Sequence, residues 1–216
     1  MSITLAKGTT LAIASALAAA KAMSAITNAT EAVATLEASH GVAVGEYFMA
    51  ASGWGRLDNT VQRAKTVATN DVTIEGFNSL STDLFPAGSG TGSVREISTW
   101  QQITQIKGIS SSGGEQKFED ITELDDDEDI EIPTTRGAIK LDLVIHDDPT
   151  LAWYATVKAA ALAQTLTPFK FAFPNGSILV GSAYFNLREM PEIETRKALV
   201  TRLSMSLGAR PTRFAS

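Results

Sequence analysis

Two histidines, no cysteine and one dense run of carboxylates bound the chemistry open to this 216-residue chain. The run is EQKFEDITELDDDEDIEI, Glu115–Ile132, with ten acids against the single Lys117 and its densest part at Asp125–Asp129. Acids at 125, 127 and 129 have the alternate spacing of a calcium loop. Such a loop also needs a glycine at 130 and a bidentate glutamate at 136, and the chain has Ile130 and Arg136 there. No metal site is expected. Without cysteine there is no disulfide, thiolate zinc site or cysteine nucleophile. His146 beside Asp147 reads as a helix-entry residue rather than half of a catalytic dyad, and His40 has no partner motif. GSGTGS at 88–93 does not lie between a strand and a helix, so it is not read as a phosphate cradle. GxSxG, HExxH and P-loop motifs are absent. The expectation is a protein that is not an enzyme and holds no cofactor.

Charge distribution points elsewhere. Five consecutive carboxylates repel one another, so Asp125–Asp129 belong in water or opposite a positive partner. Residues 115–132 carry −9 of a total of −6, which leaves +3 for the rest. The last 22 residues hold Arg196, Lys197, Arg202, Arg210 and Arg213 and no acid. An acidic loop and a basic C-terminal end on one chain suit head-to-tail contact between identical subunits. The candidate assembly residues are Glu119, Asp120, Glu123, Asp125, Asp126, Asp127, Glu128 and Asp129, facing Arg196, Lys197, Arg202 and Arg210. An ordinary solvated surface with uneven charge is the plainer alternative. No basic stripe interleaves with aromatics, so tight DNA binding is not expected.

At 44% apolar residues the chain can bury a real core. Its N-terminus has Lys7 and the apolar run Leu11–Ala20, but this run is Ala-rich and interrupted by Thr9, Thr10 and Ser15. It is not read as an export signal, and nothing is apolar enough to span a membrane.

These residues must be positioned mainly by strands. GTTLAIAS (8–15) reads as the first strand. Residues 16–93 read as a small all-β insertion: AVATLEA and GEYFMAAS flank SHGVAVG, a hairpin-sized connection, and RAKTVAT and DVTIEGF alternate. PAGSGTGS (86–93) looks like a flexible linker. VREISTWQQITQIK (94–107) alternates until Ile97, Gln101 and Ile103 break the rhythm, the mark of a bulge. ISSSGG (109–114) is a predicted turn. The acidic loop then feeds AIKLDLVI, whose period of two argues for a half-buried strand. A helix is predicted over 149–165, with Asp148 as N-cap, Pro149 at its first position, and an apolar stripe of Leu151, Tyr154, Ala155, Ala161 and Leu162. FKFAFPNGSILVGSAYF (169–185) reads as a hairpin turning at Asn175-Gly176, a pair suited to type I′. A last strand runs over roughly Ile193–Leu207, stopped by Gly208 and Pro211. The expected fold is mainly β, a sandwich or partial barrel with one flanking helix.

The order of GTTL, STWQQITQIK, LDDDED, the alternating strand, a helix, FPNG and a closing strand ending GARP resembles the major tail tube proteins of lambda-like bacteriophages with long non-contractile tails. The resemblance covers residues 7–15 and about 94–213. It implies a core of 1–15 plus 94–216 carrying the acidic loop at about 115–132, with 16–93 inserted where the lambda-type protein passes almost directly from first to second strand. It also implies a structural virion protein that forms hexameric rings, stacked into a tube through which genomic DNA passes without specific binding. The implied partners are further copies of the chain, with tape measure, tail terminator and baseplate or tip proteins. Assembly would occur in the host cytoplasm, with no membrane involved. Two other functions fit the sequence less well. One is a tail terminator or tube-capping protein; the other is a secreted glycan- or receptor-binding β-sandwich using Trp54 and Tyr47 as exposed aromatics.

Overall fold

Short alternating segments separated by turn residues become strands wherever one face finds a core, and here they find two. A computed structural model describes residues 7–123 and 128–215. In chain order the strands are β1 (Thr10–Leu17), β2 (Lys21–Ile26), β3 (Val33–Leu36), β4 (Tyr47–Ser52), β5 (Val61–Ala68), β6 (Asp71–Ile74) and β7 (Gly92–Ile103). They continue as β8 (Ile106–Ser112), β9 (Gln116–Asp120), β10 (Glu131–Arg136) and β11 (Lys140–His146). Helix α1 (Ala152–Ala163) precedes β12 (Thr167–Ala172), β13 (Ile178–Leu187), β14 (Val200–Leu207) and β15 (Thr212–Phe214).

The first core lies in a closed barrel of six strands, β2-β3-β6-β5-β4-β7, completed by pairing of β7 back to β2 at Lys21↔Val94 and Met23↔Gly92. Closure leaves no strand edge exposed. Phe48, Trp54, Leu57, Val72, Ile74 and Val94 fill the interior. The second core lies under the sheet β7-β1-β12-β13-β14-β11-β8, where α1 packs against β13, β7 and β1. Leu11, Ile13, Leu143, Ile145, Phe169, Phe171, Leu203 and Met205 meet Trp153 and Val157 of the helix there. The fold is therefore mainly β with one flanking helix, as the sequence implies.

β7 joins the two. Its N-terminal half pairs with β4 from Ser52↔Gly92 to Phe48↔Glu96, and its C-terminal half pairs with β1. The β1–β7 ladder shifts register between Ala14 and Leu17, opposite 97–100, which is the irregularity that the broken alternation implied. Around this joint a third cluster gathers Ala14, Tyr47, Val61, Ile97, Val180 and Phe214. The Arg63 guanidinium lies 4.4 Å from the centroid of the Phe214 ring, and the Lys170 ammonium 4.6 Å from that of Trp100.

Several local expectations are corrected. SHGVAVG is not a hairpin connection, because β3 pairs with β2 and β6 while β4 pairs with β5 and β7. The segment crosses the barrel instead, anchored by His40, whose Nδ1 accepts from Val42 N and whose Nε2 lies 3.0 Å from the Thr69 carbonyl. PAGSGTGS is not a free linker. The Trp54 indole N–H donates to the Pro86 carbonyl at 2.8 Å, the Ser52 hydroxyl donates to the Gly90 carbonyl at 2.7 Å, and Gly92 already belongs to β7. ISSSGG is not a turn, since β8 continues to Ser112 and the chain runs on through the two glycines into β9.

The helix starts three residues later than predicted, at Ala152. Asp148 accepts from the Thr150 N–H and hydroxyl and so closes a turn ahead of the helix rather than capping it. The buried residues of the helix are Trp153 and Val157, with Leu151, Tyr154, Ala160 and Ala161 half-buried beside them; of the predicted stripe, Ala155 is exposed and Leu162 is 71% exposed. The FPNG hairpin turns through Gly176 N–H to Phe173 O with Gly176 alone at positive φ, a type I turn followed by a left-handed glycine instead of type I′. The last long strand begins only at Val200. Arg196 at φ 67 and the Glu194–Lys197 ion pair shape 193–199 into a loop. A short additional strand, β15, pairs with β13.

Candidate assembly surfaces

The acidic run forms an arm. β9 and β10 pair antiparallel through Glu131↔Asp120, Ile132↔Glu119 and Pro133↔Phe118, as an outward continuation of the β8–β11 ladder. The two ladders are separated by Gly113 and Gly114, both at φ 80, on one strand and Gly137–Ile139 on the other. A Cβ at Gly113 would sit 2.0 Å from the Ala138 carbonyl oxygen, so only glycine fits that crossing. Beyond it, Gly137 N–H donates to Glu115 O at 2.9 Å and restarts the pairing.

No side chain of the arm's two strands is buried. Glu119, Asp120, Glu128 and Asp129 point to solvent and make no ion pair with any described residue. Glu123 is exposed as well. Asp125, Asp126 and Asp127 lie outside the described residues. Near the tip, Asp120 Oδ1 accepts from the Thr122 hydroxyl at 2.6 Å and its N–H at 2.9 Å, which holds the Asp120 carboxyl below the usual range. The Thr122 hydroxyl in turn accepts from Ile130 N–H. Because paired residues share a face and faces alternate along the ladder, Ile121, Ile130 and Ile132 lie on one side of the arm and Phe118 and Pro133 on the other. All four large apolar residues among these are 44–55% exposed.

The four basic residues do not form one surface. Arg202 stands on β14 with its Nε 2.5 Å from Glu192, which lowers the Glu192 carboxyl and raises the arginine. Lys197 is paired with Glu194. Arg196 is exposed and makes no ion pair among the described residues. These three lie at the Val200 end of β14. Arg210 lies past the Leu207 end, lining a groove of 480 Å³ with Arg136, Gly137 and Ile139 at the base of the arm. β14 thus has the acidic arm at one end and the 188–199 loop at the other, roughly 24 Å apart at about 3.4 Å per residue.

Two features were not legible from residue types. β8 is the terminal strand of the large sheet, and Ser112, Ser111, Ser110, Ile109 and Lys107 are all exposed. The 188–199 loop presents Met190 and Ile193, each 70% exposed, and Leu199, 44% exposed. A sequence signal for the loop existed in three large apolar residues spread among charges without helical or strand period. Conversely, Trp54 and Tyr47, expected as exposed aromatics, are 1% and 9% exposed. Both rings are in the cores, so a glycan-binding platform built on them does not exist. No helix among the described residues is long and apolar enough to cross a membrane. No group of three or more His, Asp or Glu among them is placed to hold a metal.

A family model described as "Phage tail tube protein, TTP" matches residues 52–216. The match begins at the end of β4, so it takes in β5 and β6 of the barrel as well as the arm and every strand of the large sheet except β1. No curated protein sequence matches the chain. Among solved structures, a chain in "Virion of native gene transfer agent (GTA) particle" is similar at 11% identity and TM-score 0.42, covering 54% of this chain and 89% of that one. A chain in "Cryo-EM structure of the anti-feeding prophage (AFP) baseplate, 6-fold symmetrised" is similar at 9% identity and TM-score 0.39, covering 55% of this chain and 86% of the other.

Proposed function

From the membership of this chain in the phage tail tube protein family, we propose that it is the subunit of the tube itself. In this reading it self-assembles into hexameric rings that stack into the hollow tail of a siphovirus. The family match over 52–216 is the observation that carries this. The core would comprise 1–15 and 94–216, with 16–93 as an inserted unit that decorates or braces the ring.

The surfaces described above suit such a subunit. An open terminal strand such as β8 can add to the sheet of a neighbour, which is how rings of β-proteins close laterally. A two-stranded arm with no buried side chain has little stability of its own in water and gains it by packing on another molecule. Arm and 188–199 loop at opposite ends of one strand give a heterologous contact, which generates stacks rather than closed dimers. Carboxylates kept clear of DNA phosphates, or facing them across a lumen, reduce sticking during genome passage. Tape measure, terminator and tip proteins would bind the tube's lumen and ends, and assembly would take place in the host cytoplasm.

Negative-stain electron microscopy of the purified protein tests the proposal. Rings about one subunit thick and tubes built from them are expected. A strictly monomeric protein at every concentration and ionic strength would remove it, and single rings that never stack would favour a tube-capping role.

A further inference from the structure

The sequence places the receiving surface for the acidic arm among basic residues, but the structure has already matched two of those three at the Val200 end. Arg202 is held by Glu192 and Lys197 by Glu194, and the 188–199 loop carries three cations and three anions. What the loop offers instead is apolar: Met190, Ile193 and Leu199. The arm offers the matching feature, Ile121, Ile130 and Ile132 on one face. We propose that the isoleucine face of one subunit's arm docks on the Met190–Ile193–Leu199 surface of the next subunit in the stack. The inference rests on the tube reading and names the contact between successive rings.

Charge selects this pairing over its alternatives. Two arms brought face to face would set Glu119, Asp120, Glu128, Asp129 and Glu131 of one chain against those of another, and like charges at close range are strongly unfavourable. The loop has no net charge, and Arg196 is the one cation in it without a carboxylate among the described residues. An acidic arm therefore meets a neutral surface with one free arginine, while desolvated isoleucines supply the attraction. Arm and loop lie at opposite ends of the β11–β14 ladder, so the contact repeats along the strand direction without closing on itself.

The chain has no cysteine, which makes a disulfide test clean. Subunits carrying Ile132→Cys mixed with subunits carrying Ile193→Cys should give a crosslinked pair under mild oxidation at assembling concentrations. Either variant alone should give at least ten-fold less. Crosslinking of Ile132→Cys alone, at the level of the mixture, would indicate arm-to-arm contact and overturn the proposal, as would no crosslink in mixtures that form tubes. A second pair of variants, Ile132→Asp and Ile193→Asp, should each remain folded and lose tubes, while their mixture should stop at stacks of two rings. Tubes from either variant alone at wild-type yield would also overturn it. Wild-type protein that never forms rings or tubes would instead defeat the tube reading itself. Because apolar contact carries the joint, tubes should persist between about 0.1 M and about 1 M salt, across which the screening length falls from ~10 to ~3 Å. Dissolution over that range would return the contact to charge.

Discussion

The barrel and the arm are both made of antiparallel strands, yet they stand at opposite limits of what a strand can be. In the barrel every strand has two neighbours, and Trp54, Phe48 and Leu57 are at most 1% exposed. In the arm two strands have only each other, and the large apolar side chains are about half exposed. The difference follows from what the alternation is alternating. In β3, β4 and β6 the apolar positions face a shared interior. In β9 and β10 carboxylates take both faces, so no interior can form on either side. A region whose core is complete within one chain has been joined to one that buries none of its own strand side chains.

The largest effect expected is on the barrel. Trp54→Ala removes a side chain that packs edge-on against Phe85 at 5.2 Å and whose indole N–H is bonded to Pro86. A loss of about 3–5 kcal/mol in unfolding free energy is expected, read by denaturant titration of the monomer. Excising 116–136 and joining Glu115 to Gly137, which already share a backbone hydrogen bond of 2.9 Å, should change that free energy by no more than about 0.5 kcal/mol. The same excision should abolish tubes. If both changes cost the monomer equally, the contrast between the regions is wrong.

Gly90→Ala should have an intermediate effect, about 1–3 kcal/mol, because a Cβ there would lie 2.7 Å from the Trp54 indole. It also marks where sequence reading stopped. PAGSGTGS has the composition of a flexible linker, and composition cannot distinguish a glycine that frees the backbone from one that lets it approach an indole. The same limit hid the start of α1. Asp148-Pro149 looks like a cap followed by a first turn, but a Thr at 150 offers the aspartate two donors nearer than the helix backbone. Most of the strands, the helix and the family were legible, since period and order along the chain are one-dimensional signals, whereas β9 and β10 inside the acidic run and the short β15 were not. Barrel closure was not. It depends on Lys21 and Met23 meeting Val94 and Gly92 some seventy residues later, and nothing local records that. The acidic run was likewise visible as composition. What composition could not show is that Arg202 is already paired with Glu192, which a count of arginines does not reveal.

The smallest expected effect sets the two regions against each other through pH. On the barrel's shared strand, Glu96 has its carboxyl pushed up by burial first and by the neighbouring Glu46 charge second, with His40 opposing. A Cβ at Gly41 would collide with that carboxylate, so the crossing 38–46 backbone is what covers it. A carboxyl whose folded pKa lies above its unfolded value adds stability that is fully present below the unfolded pKa. That stability is lost as pH rises through the folded one. Glu96→Gln should therefore leave the barrel slightly more stable than wild type at neutral pH, within about 0.5 kcal/mol, and the advantage should vanish in acid as the wild-type carboxyl protonates. Asp120 in the arm has the opposite sign. Its carboxyl is held down by the Thr122 hydroxyl and N–H, so its contribution is present above the unfolded pKa and lost as pH falls through the depressed one. Acid should then loosen the arm's tip while relieving the strain on the barrel. Backbone amide exchange at Ile130, whose N–H is held by Thr122, should speed up as pH falls through the carboxylate range, after correction for the intrinsic exchange rate. Exchange in β4 and β7 should slow over the same range. Parallel changes in both would mean that the two regions share one stability after all.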